Sequence, residues 1–574
     1  MRDLNLKALE YIKRRDHTHF TKKAALRILD IFPNRDTYHL EAGFTPSGKV
    51  HLGNFGDIVI VEAVKKTLDI WGYNAESILV IDSRDPFRNA PTFAPEEFKK
   101  SSNKYLGMPL ESLPDPWNCH KNYVEHFVEP LLNSLNEYGL KPKVYFAHQI
   151  HTNARYIELL HNVIVHRDRV ARIFNEVHRR AGHKKRYEVN WIPFRPLCEN
   201  CNRIDERVKP REILEDHYVI RYKCETCGHE GFADIRKAEG KAPWRIDWPL
   251  RWVLFDIHFE PMGKDLMAAG SSFDTGCALL REFFNREPPV AIFYDFFYWV
   301  EPNKEPKKFS KRAGVGFGAH EWLLYAPPEA LNYMLLRRHV GEITKDSLRH
   351  IDFNPYDIPT YVNRYDSDED YLFNKLAQGE LGTEDIKMLM AYILSQKDAK
   401  KAFIQRVRRV PYDAALKAAM WMTDLEDGLR MLQKMGYLSP SAGKAEVEDA
   451  KERLRCALNY LRDLWIPPEL DLKTILGSLP QNVRDAIRYI LENTLKISPE
   501  ELSQEVLREF VREASSRFGV PAKELYVTLY RIALGENEGP PAYRLYQKDV
   551  TRKNLIKAAE ILGCSAVENN SSRI

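Results

Sequence analysis

Cysteine is scarce in this chain, eight residues in 574. That is too few for a disulfide scaffold in so long a protein, and four of the eight fall into two Cys-x-x-Cys pairs, which points to metal instead. No apolar run reaches membrane-spanning length, and the opening MRDLNLKALEYIKRRD has neither the apolar core nor the small-residue cleavage site of a signal peptide. A cytoplasmic protein with no membrane partner is expected. Charge of one sign is also missing: 85 Lys and Arg against 81 Asp and Glu leave a net +4. Any nucleic acid must therefore be met by local basic patches rather than by a wholly basic chain. There is no internal repeat. What is present, 44% apolar and 11% aromatic residues over this length, is globular and too long for one core, so three or four domains are expected.

The most informative stretch is EAGFTPSGKVHLGN at residues 41–54. Residues 38–43 read as a short strand, Pro46-Ser47-Gly48 as turn chemistry, and residues 51–72 as a helix with apolar spacing through Ile58, Val61, Val64 and Leu68. Backbone N–H groups at such a helix start can face phosphates, and Gly53 permits a ring or ribose to approach the backbone. His51 and Asn54 offer neutral donors to a phosphoryl group whose charge grows in a transition state. A second segment, Lys307-Lys308-Phe309-Ser310-Lys311-Arg312-Ala313-Gly314, crowds cations and a hydroxyl into what reads as a flexible loop running on to Gly316 and Gly318. Such a loop suits a polyphosphate.

Together the two segments resemble the paired signatures of class I aminoacyl-tRNA synthetases, HIGH at His51-Leu52-Gly53-Asn54 and KMSKS at Lys308-Phe309-Ser310-Lys311-Arg312. The string EAGFTPSG, Pro-Met-Gly-Lys-Asp at 261–265 and Phe-Asp-Thr-Gly at 273–276 are similar to class I lysyl-tRNA synthetase over most of residues 20–350. In the related glutamyl and glutaminyl enzymes the place of Glu41 typically holds an arginine. A carboxylate there suits a substrate with a cationic side chain, because a partly dry ammonium needs an anionic partner. The resemblance implies that L-lysine is activated with ATP and Mg2+ and transferred to tRNA-Lys. It further implies His51, Asn54, Lys308, Ser310 and Lys311 as catalytic residues, Glu41, Gly43, Thr45 and Trp244 around lysine, and Pro46, Gly48 and Gly53 beside ATP. Leu266 stands where family members often have histidine after Gly-Lys-Asp. The competing readings are a glutamyl-type class I synthetase, which Glu41 would disfavour by like charge, and a non-catalytic tRNA-binding paralogue, which should have lost the two nucleotide signatures.

Cys198-x-x-Cys201 and Cys224-x-x-Cys227, twenty-two residues apart, read as a structural Zn2+ ribbon with all four positions filled by sulfur. Such an insertion is expected to have little core of its own. Asp115, Cys119, His120 and His126 form a fainter set, chemically fit for a mixed zinc site; the lysyl family carries an acid and histidines at similar spacing, with Cys119 here in place of a more usual histidine.

The expected fold is α/β, a Rossmann-type nucleotide-binding catalytic domain with a zinc-containing insertion, followed by an all-α anticodon-binding domain. Residues 1–110 hold a basic helical lead-in and the first half of the sheet. Residues 111–235 hold a strand at 144–148, an arginine-rich amphipathic segment at 153–182 suited to an RNA acceptor stem, and the ribbon. Residues 236–360 complete the sheet with 244–260 and 290–297 and carry the KMSKS-like loop. A linker is expected at 355–370, and residues 361–574 read as helical, with a capping box at Ser498 to Glu501, a stop at Gly519 and Pro521, and a loose tail at 565–574.

Overall fold

The computed structural model describes residues 2–184, 186–188, 190–301, 304–337, 347–348, 350–379, 381–403, 407–465 and 469–564. Two compact units result: Met1–Ala415 with Met435–Tyr460, and Leu416–Lys434 with Leu461–Ile574.

The first unit is built on a six-stranded sheet, every pairing parallel, in the spatial order Ser347–Leu348, Val290–Tyr294, Ile257–Gly263, Tyr38–Phe44, Ala75–Ile81, Lys143–Phe146. Parallel strands covered by helices on both faces are buried at almost every position, and Ile257–Gly263 is buried from Ile257 to Met262. The first strand in sequence lies at the centre, and successive strands fan out to either side of it. Such an order leaves a crevice at the carboxyl ends of the two central strands, where α/β sheets take their ligands. Past a bulge at His39, Leu40 pairs with Phe259, which brings the next residues, Glu41 and Glu260, side by side.

The expected strand at 144–148 is shorter, Lys143–Phe146, because Ala147–His151 turns into helix. The segment at 153–182 is two helices, Ala154–Val165 and Arg167–Arg180, broken at His166. Residues 244–260 do not form one strand: Trp244–Leu254 is a helix and the strand begins at Ile257. Nor is 355–370 a linker. Residues Ile358–Gln378 form a 21-residue helix with proline in its first turn, where the missing N–H costs nothing. Its acidic run is paired rather than solvated, as Asp366 takes Arg453 and Glu369 takes Arg409.

The ribbon is an antiparallel sheet of Val208–Leu214, Val219–Cys224 and Glu230–Asp234, and the chain returns through Gly240–Lys241 against Arg195–Pro196. It packs against the catalytic core. Cys198, Ile220, Tyr222 and Ala233 belong to the same apolar cluster as Ile78, Val80 and Trp248.

In the second unit, helices Leu472–Gly477, Gln481–Thr494, Gln504–Phe518, Ala522–Leu534 and Asp549–Ile561 close around Ile487, Leu491, Leu507, Leu529 and Leu555. Ser498 and Glu501 bond to one another at 2.9 Å in a turn. The helix starts later than the capping-box reading has it, at Gln504, with Ser503 as its cap, and ends on Gly519 at φ 65°. The expected loose tail lies outside the described residues.

Candidate active site and metal centres

The helix Leu52–Ile70 starts at the carboxyl end of the first strand, with His51 as its cap. His51 Nδ1 accepts from Gly53 N at 3.1 Å, so the ring is turned back along the helix. Burial, with Lys311 and Lys49 nearby, pushes the imidazole down to about 3, and it is neutral. The backbone amides expected to face phosphate are already engaged: Leu52 N donates to Phe317 O, Gly53 N to His51, and Asn54 N to His51 O. Any phosphate contact at this turn would therefore fall to side chains. Asn54 Oδ1 is buried without a hydrogen-bond partner. Gly53 is needed for close approach, since a Cβ there would stand 2.9 Å from the His51 ring.

The basic segment is more anchored than its composition suggests. Lys307–Lys308 pairs antiparallel with Phe297–Trp299, Ser310 bridges to Val315, and Phe309 is buried. It is latched to the first turn: Lys49 N donates to Lys311 O at 3.2 Å, and Lys311 Nζ to Thr45 O at 2.7 Å. A Cβ on Gly48 would lie 2.5 Å from Lys311 O, so that contact requires glycine. Buried Pro46 lies in the same turn. Burial pushes the Lys311 ammonium down to about 8, against Asp82, Asp57 and Asp85. Lys308 places its Nζ 2.9 Å above the Phe296 ring, and Ser310 Oγ accepts from Ala313 N at 3.3 Å. The two motifs, some 260 residues apart in sequence, thus share one cleft.

Beneath them lies a buried charge network. Glu41 is 1% exposed and its Oε2 has no hydrogen-bond partner. Burial, and then Glu260, hold its carboxyl well above the usual range. Glu260 accepts from the indoles of Trp248, at 3.0 Å, and Trp252, at 2.5 Å; burial pushes it up to about 8. Arg251, equally buried, donates to Asp82 at 2.5 Å and to Asp247, which also takes His151 at 2.9 Å and the Tyr156 hydroxyl. Arg251 and His151 hold Asp247 well below the carboxylate range in spite of burial. Thr45 Oγ1 and Lys241 Nζ each bond Asp85 at 2.7 Å. Burial would lower the Lys241 ammonium, but Asp85, Asp247 and Asp82 outweigh it. Gly43 packs its backbone against Val80. Trp244 lies on the covering helix, its ring stacked 5.1 Å from Trp248 with the Arg251 guanidinium 5.5 Å away.

Glu260, Asp85, Lys241 and Arg251 were not legible from the sequence. Glu260 stood in the right strand, immediately before Pro-Met-Gly-Lys-Asp, but nothing local says that it meets Glu41. Lys241 arrives from the ribbon's return strand, a long-range event with no local sign.

Residues 18–393 match the family model for tRNA synthetases class I (K). The chain belongs to that family. A lysine--tRNA ligase of Methanocaldococcus jannaschii is 31% identical over 88% of this chain and 93% of its own. One of Pyrococcus horikoshii is 30% identical over 91% and 95%. A solved glutamate tRNA ligase of Elizabethkingia meningosepticum covers 92% of this chain and 99% of its own at 13% identity and a TM-score of 0.36, a likeness too distant to bear on function.

In this class I (K) synthetase the four ribbon sulfurs lie within 4.8 Å of one another, with Cys198–Cys227 at 3.7 Å and Cys201–Cys224 at 3.6 Å. A tetrahedral ion with bonds of about 2.3 Å to sulfur needs edges of about 3.8 Å, so the donor set is compatible with zinc. Each knuckle ends on a left-handed residue, Asn202 at φ 55° and Gly228 at φ 75°, which turns the chain tightly beneath its cysteines. In the synthetase's second cluster Cys119 Sγ is 3.1 Å from His120 Nδ1 and 3.3 Å from His126 Nδ1, which is 3.1 Å from Asp115. Asp115 also accepts from the amides of Trp117, Cys119 and His120, which hold it at about 2 despite burial. His39, Asp256 and His258 form a third group. His258 Nδ1 accepts from His39 N at 3.1 Å, so Nε2 must carry the ring proton of the neutral imidazole and cannot ligate a metal. No described helix of the synthetase is long and apolar enough to cross a membrane.

Proposed function

We propose that this protein is a lysine--tRNA ligase, which activates L-lysine with ATP to lysyl-adenylate and transfers it to tRNA-Lys, releasing AMP and diphosphate, in the cytoplasm where translation runs. The observation that carries the reading is the buried Glu41 carboxylate, with one oxygen unpartnered, at the crevice of a class I (K) synthetase. Relatives named lysine--tRNA ligase over most of the chain support the same reading.

Lysine's ε-ammonium ionises Glu41 as it binds, with Glu260 beside it, because a buried ammonium needs anionic partners to offset desolvation. Gly43, Thr45 and Trp244 line the aliphatic stem. A glutamate side chain would bring no cation to ionise Glu41 and would bury its own charge beside two acidic groups, which disfavours the glutamyl-type alternative. The α-carboxylate attacks the α-phosphorus of ATP and pyrophosphate leaves. His51 donates from its outer ring nitrogen on the α-phosphate side with Asn54, and Pro46, Gly48 and Gly53 leave room for the nucleotide. Lys308, Ser310 and Lys311 meet the departing pyrophosphate, Lys311 exchanging Thr45 O for phosphate oxygen. The tRNA terminal ribose hydroxyl then attacks the activated carbonyl and AMP departs. Positioning and charge stabilisation supply the rate. Mg2+ accompanying ATP neutralises phosphate charge. Zn2+ at Cys198, Cys201, Cys224 and Cys227 would be structural, and Asp115, Cys119, His120 and His126 would hold a second ion. Arginines of the helix Arg167–Arg180 would meet the acceptor stem, and the second unit the anticodon.

The test is ATP–pyrophosphate exchange with every proteinogenic amino acid, tRNA present, followed by aminoacylation of tRNA-Lys. Lysine alone should be activated and charged; activation of glutamate, or of nothing, would overturn the reading.

A further inference from the structure

One charge reaches the amino-acid site from outside the nucleotide sheet. The ribbon's chain returns to the core through Gly240–Lys241, which pairs antiparallel with Arg195–Pro196, and Leu197 N donates to Glu239 O at 3.0 Å. Arg84 clamps that return from the core side, its Nη1 donating to Ala238 O at 3.0 Å. Held in this way, Lys241 is 2% exposed and directs its ammonium at one carboxylate, with Nζ 2.7 Å from Asp85 Oδ1. The other oxygen, Asp85 Oδ2, accepts from Thr45 Oγ1 at 2.7 Å. Asp85 thus bridges a buried lysine of the insertion to the residue that leaves the first strand.

The direction of the Thr45 bond decides what that hydroxyl can do. Burial would raise the Asp85 carboxyl, but Lys241 and then the Thr45 hydroxyl outweigh it and hold it below its ordinary value. An ionised Asp85 only accepts, so Thr45 gives it the hydroxyl proton, and toward any other group Oγ1 can only accept. Side chains two apart share a face of a strand, which sets Glu41, Gly43 and Thr45 in one row along the first strand and its exit, from a buried carboxylate to a half-buried mouth. A lysine whose ε-ammonium reaches Glu41 has its other ammonium at the outer end of that row.

We propose that Lys241, carried in from the ribbon, is a positioning residue of the amino-acid site: it fixes Asp85, Asp85 takes the Thr45 proton, and Thr45 Oγ1 is left as an acceptor for the α-ammonium of lysine. The inference rests on the reading of the chain as a lysine--tRNA ligase.

ATP–pyrophosphate exchange is measured on the full-length protein, on Lys241→Met, on Thr45→Val and on the two combined, with lysine and ATP varied in turn. The probe is 6-aminohexanoate, which keeps the ε-ammonium, stem and carboxylate of lysine and lacks the α-ammonium; its inhibition constant against lysine is measured on each protein. Each single variant should raise lysine KM roughly tenfold, the effect of losing a hydrogen bond to a charged group, and leave ATP KM and the 6-aminohexanoate constant unchanged. The combined variant should be no worse than Thr45→Val alone, because the lysine acts only through that hydroxyl. Thr45→Ser, which keeps the hydroxyl, should restore lysine KM. Thermal melts check folding. If Lys241→Met melts early, Asp85→Ala/Lys241→Met removes both buried charges and should give the same rise in lysine KM. An unaltered lysine KM in the variants overturns the proposal, as do losses that add in the combined variant, or equal weakening of 6-aminohexanoate, which would make Lys241 a support of the pocket as a whole. Failure of the wild-type protein to activate lysine would instead overturn the functional reading.

Discussion

Glu41 and Glu260 make opposite demands on the empty site and on the filled one. With no ammonium present, burial keeps Glu41 protonated; lysine needs it ionised, so binding must expel a proton. Lysine KM should therefore fall as pH rises and that carboxyl gives up its proton more readily, and Glu41→Gln should flatten that dependence. The same change should raise lysine KM by an amount worth about 1–3 kcal/mol with ATP KM nearly unchanged; steady-state kinetics with each substrate varied decide it, and an unaltered lysine KM would remove Glu41 from the pocket. Glu260 bears on stability. Its carboxyl titrates at about 8 in the fold against 4.5 as a free side chain, so the folded state keeps a proton that the unfolded chain loses. That contribution is complete below 4.5 and drains away as pH rises to about 8. Melting temperatures should decline over that window in the wild type and decline less in Glu260→Gln; parallel curves would contradict the assignment. Glu41 could be picked out in the sequence because the family resemblance puts it where related synthetases carry an arginine, whereas its neighbour could not, since the register of two strands about 220 residues apart decides the pairing.

At the scale of elements, strand, turn and helix at residues 38–70 were readable because period and turn chemistry agree there. The helix at Trp244–Leu254 was not, because in WRIDWPLRWVL even the charged Asp247 and Arg251 are buried and Pro249 interrupts the pattern, so periodicity cannot separate helix from buried strand. The helix Ile358–Gln378 was mistaken for a linker because the partners of its acids, Arg337, Arg409 and Arg453, lie far away in sequence. The latch between the two motifs was equally hidden, and it yields a prediction. Gly48→Ala should push Lys311 O away, while Lys311→Ala removes the cation itself; both should depress adenylate formation through kcat, the second by about 10²–10³-fold. Single-turnover transfer from preformed lysyl-adenylate should be spared in Lys311→Ala, and equal losses in both half-reactions would assign the loop to tRNA docking. For the ribbon, Cys224→Ser should lose one zinc per chain by metal analysis. Because Cys224 packs in the catalytic core cluster, that variant should also melt earlier as a whole. Zinc-free wild-type protein with full activity would sink both metal sites, and a zinc left in Cys224→Ser would point to the Asp115 cluster.

At the scale of the molecule, the two units interleave in sequence: Met435–Tyr460 belongs to the first although Leu416–Lys434 belongs to the second. Arg453, on the returning segment, is 2% exposed and grips Asp366 with two bonds, at 2.6 and 2.8 Å. A chain ending at Ala415 would strand Asp366 beside an empty socket. Arg453→Met in the full-length protein should cost about 3–5 kcal/mol by denaturant titration, and the shorter chain should lose cooperative melting. A truncation that melts like the full-length protein would show that the first unit does not need its returning helix.

The turned-back ring of His51 has a consequence for spectroscopy. With Nδ1 occupied by the Gly53 amide, the imidazole is locked in the tautomer that bears its hydrogen on Nε2. Nitrogen-15 resonances of that side chain should report one fixed tautomer, unmoved across neutral pH, until ATP arrives and only the Nε2 signal shifts. Any limb that appears in the pH–rate profile near neutrality then belongs to another group.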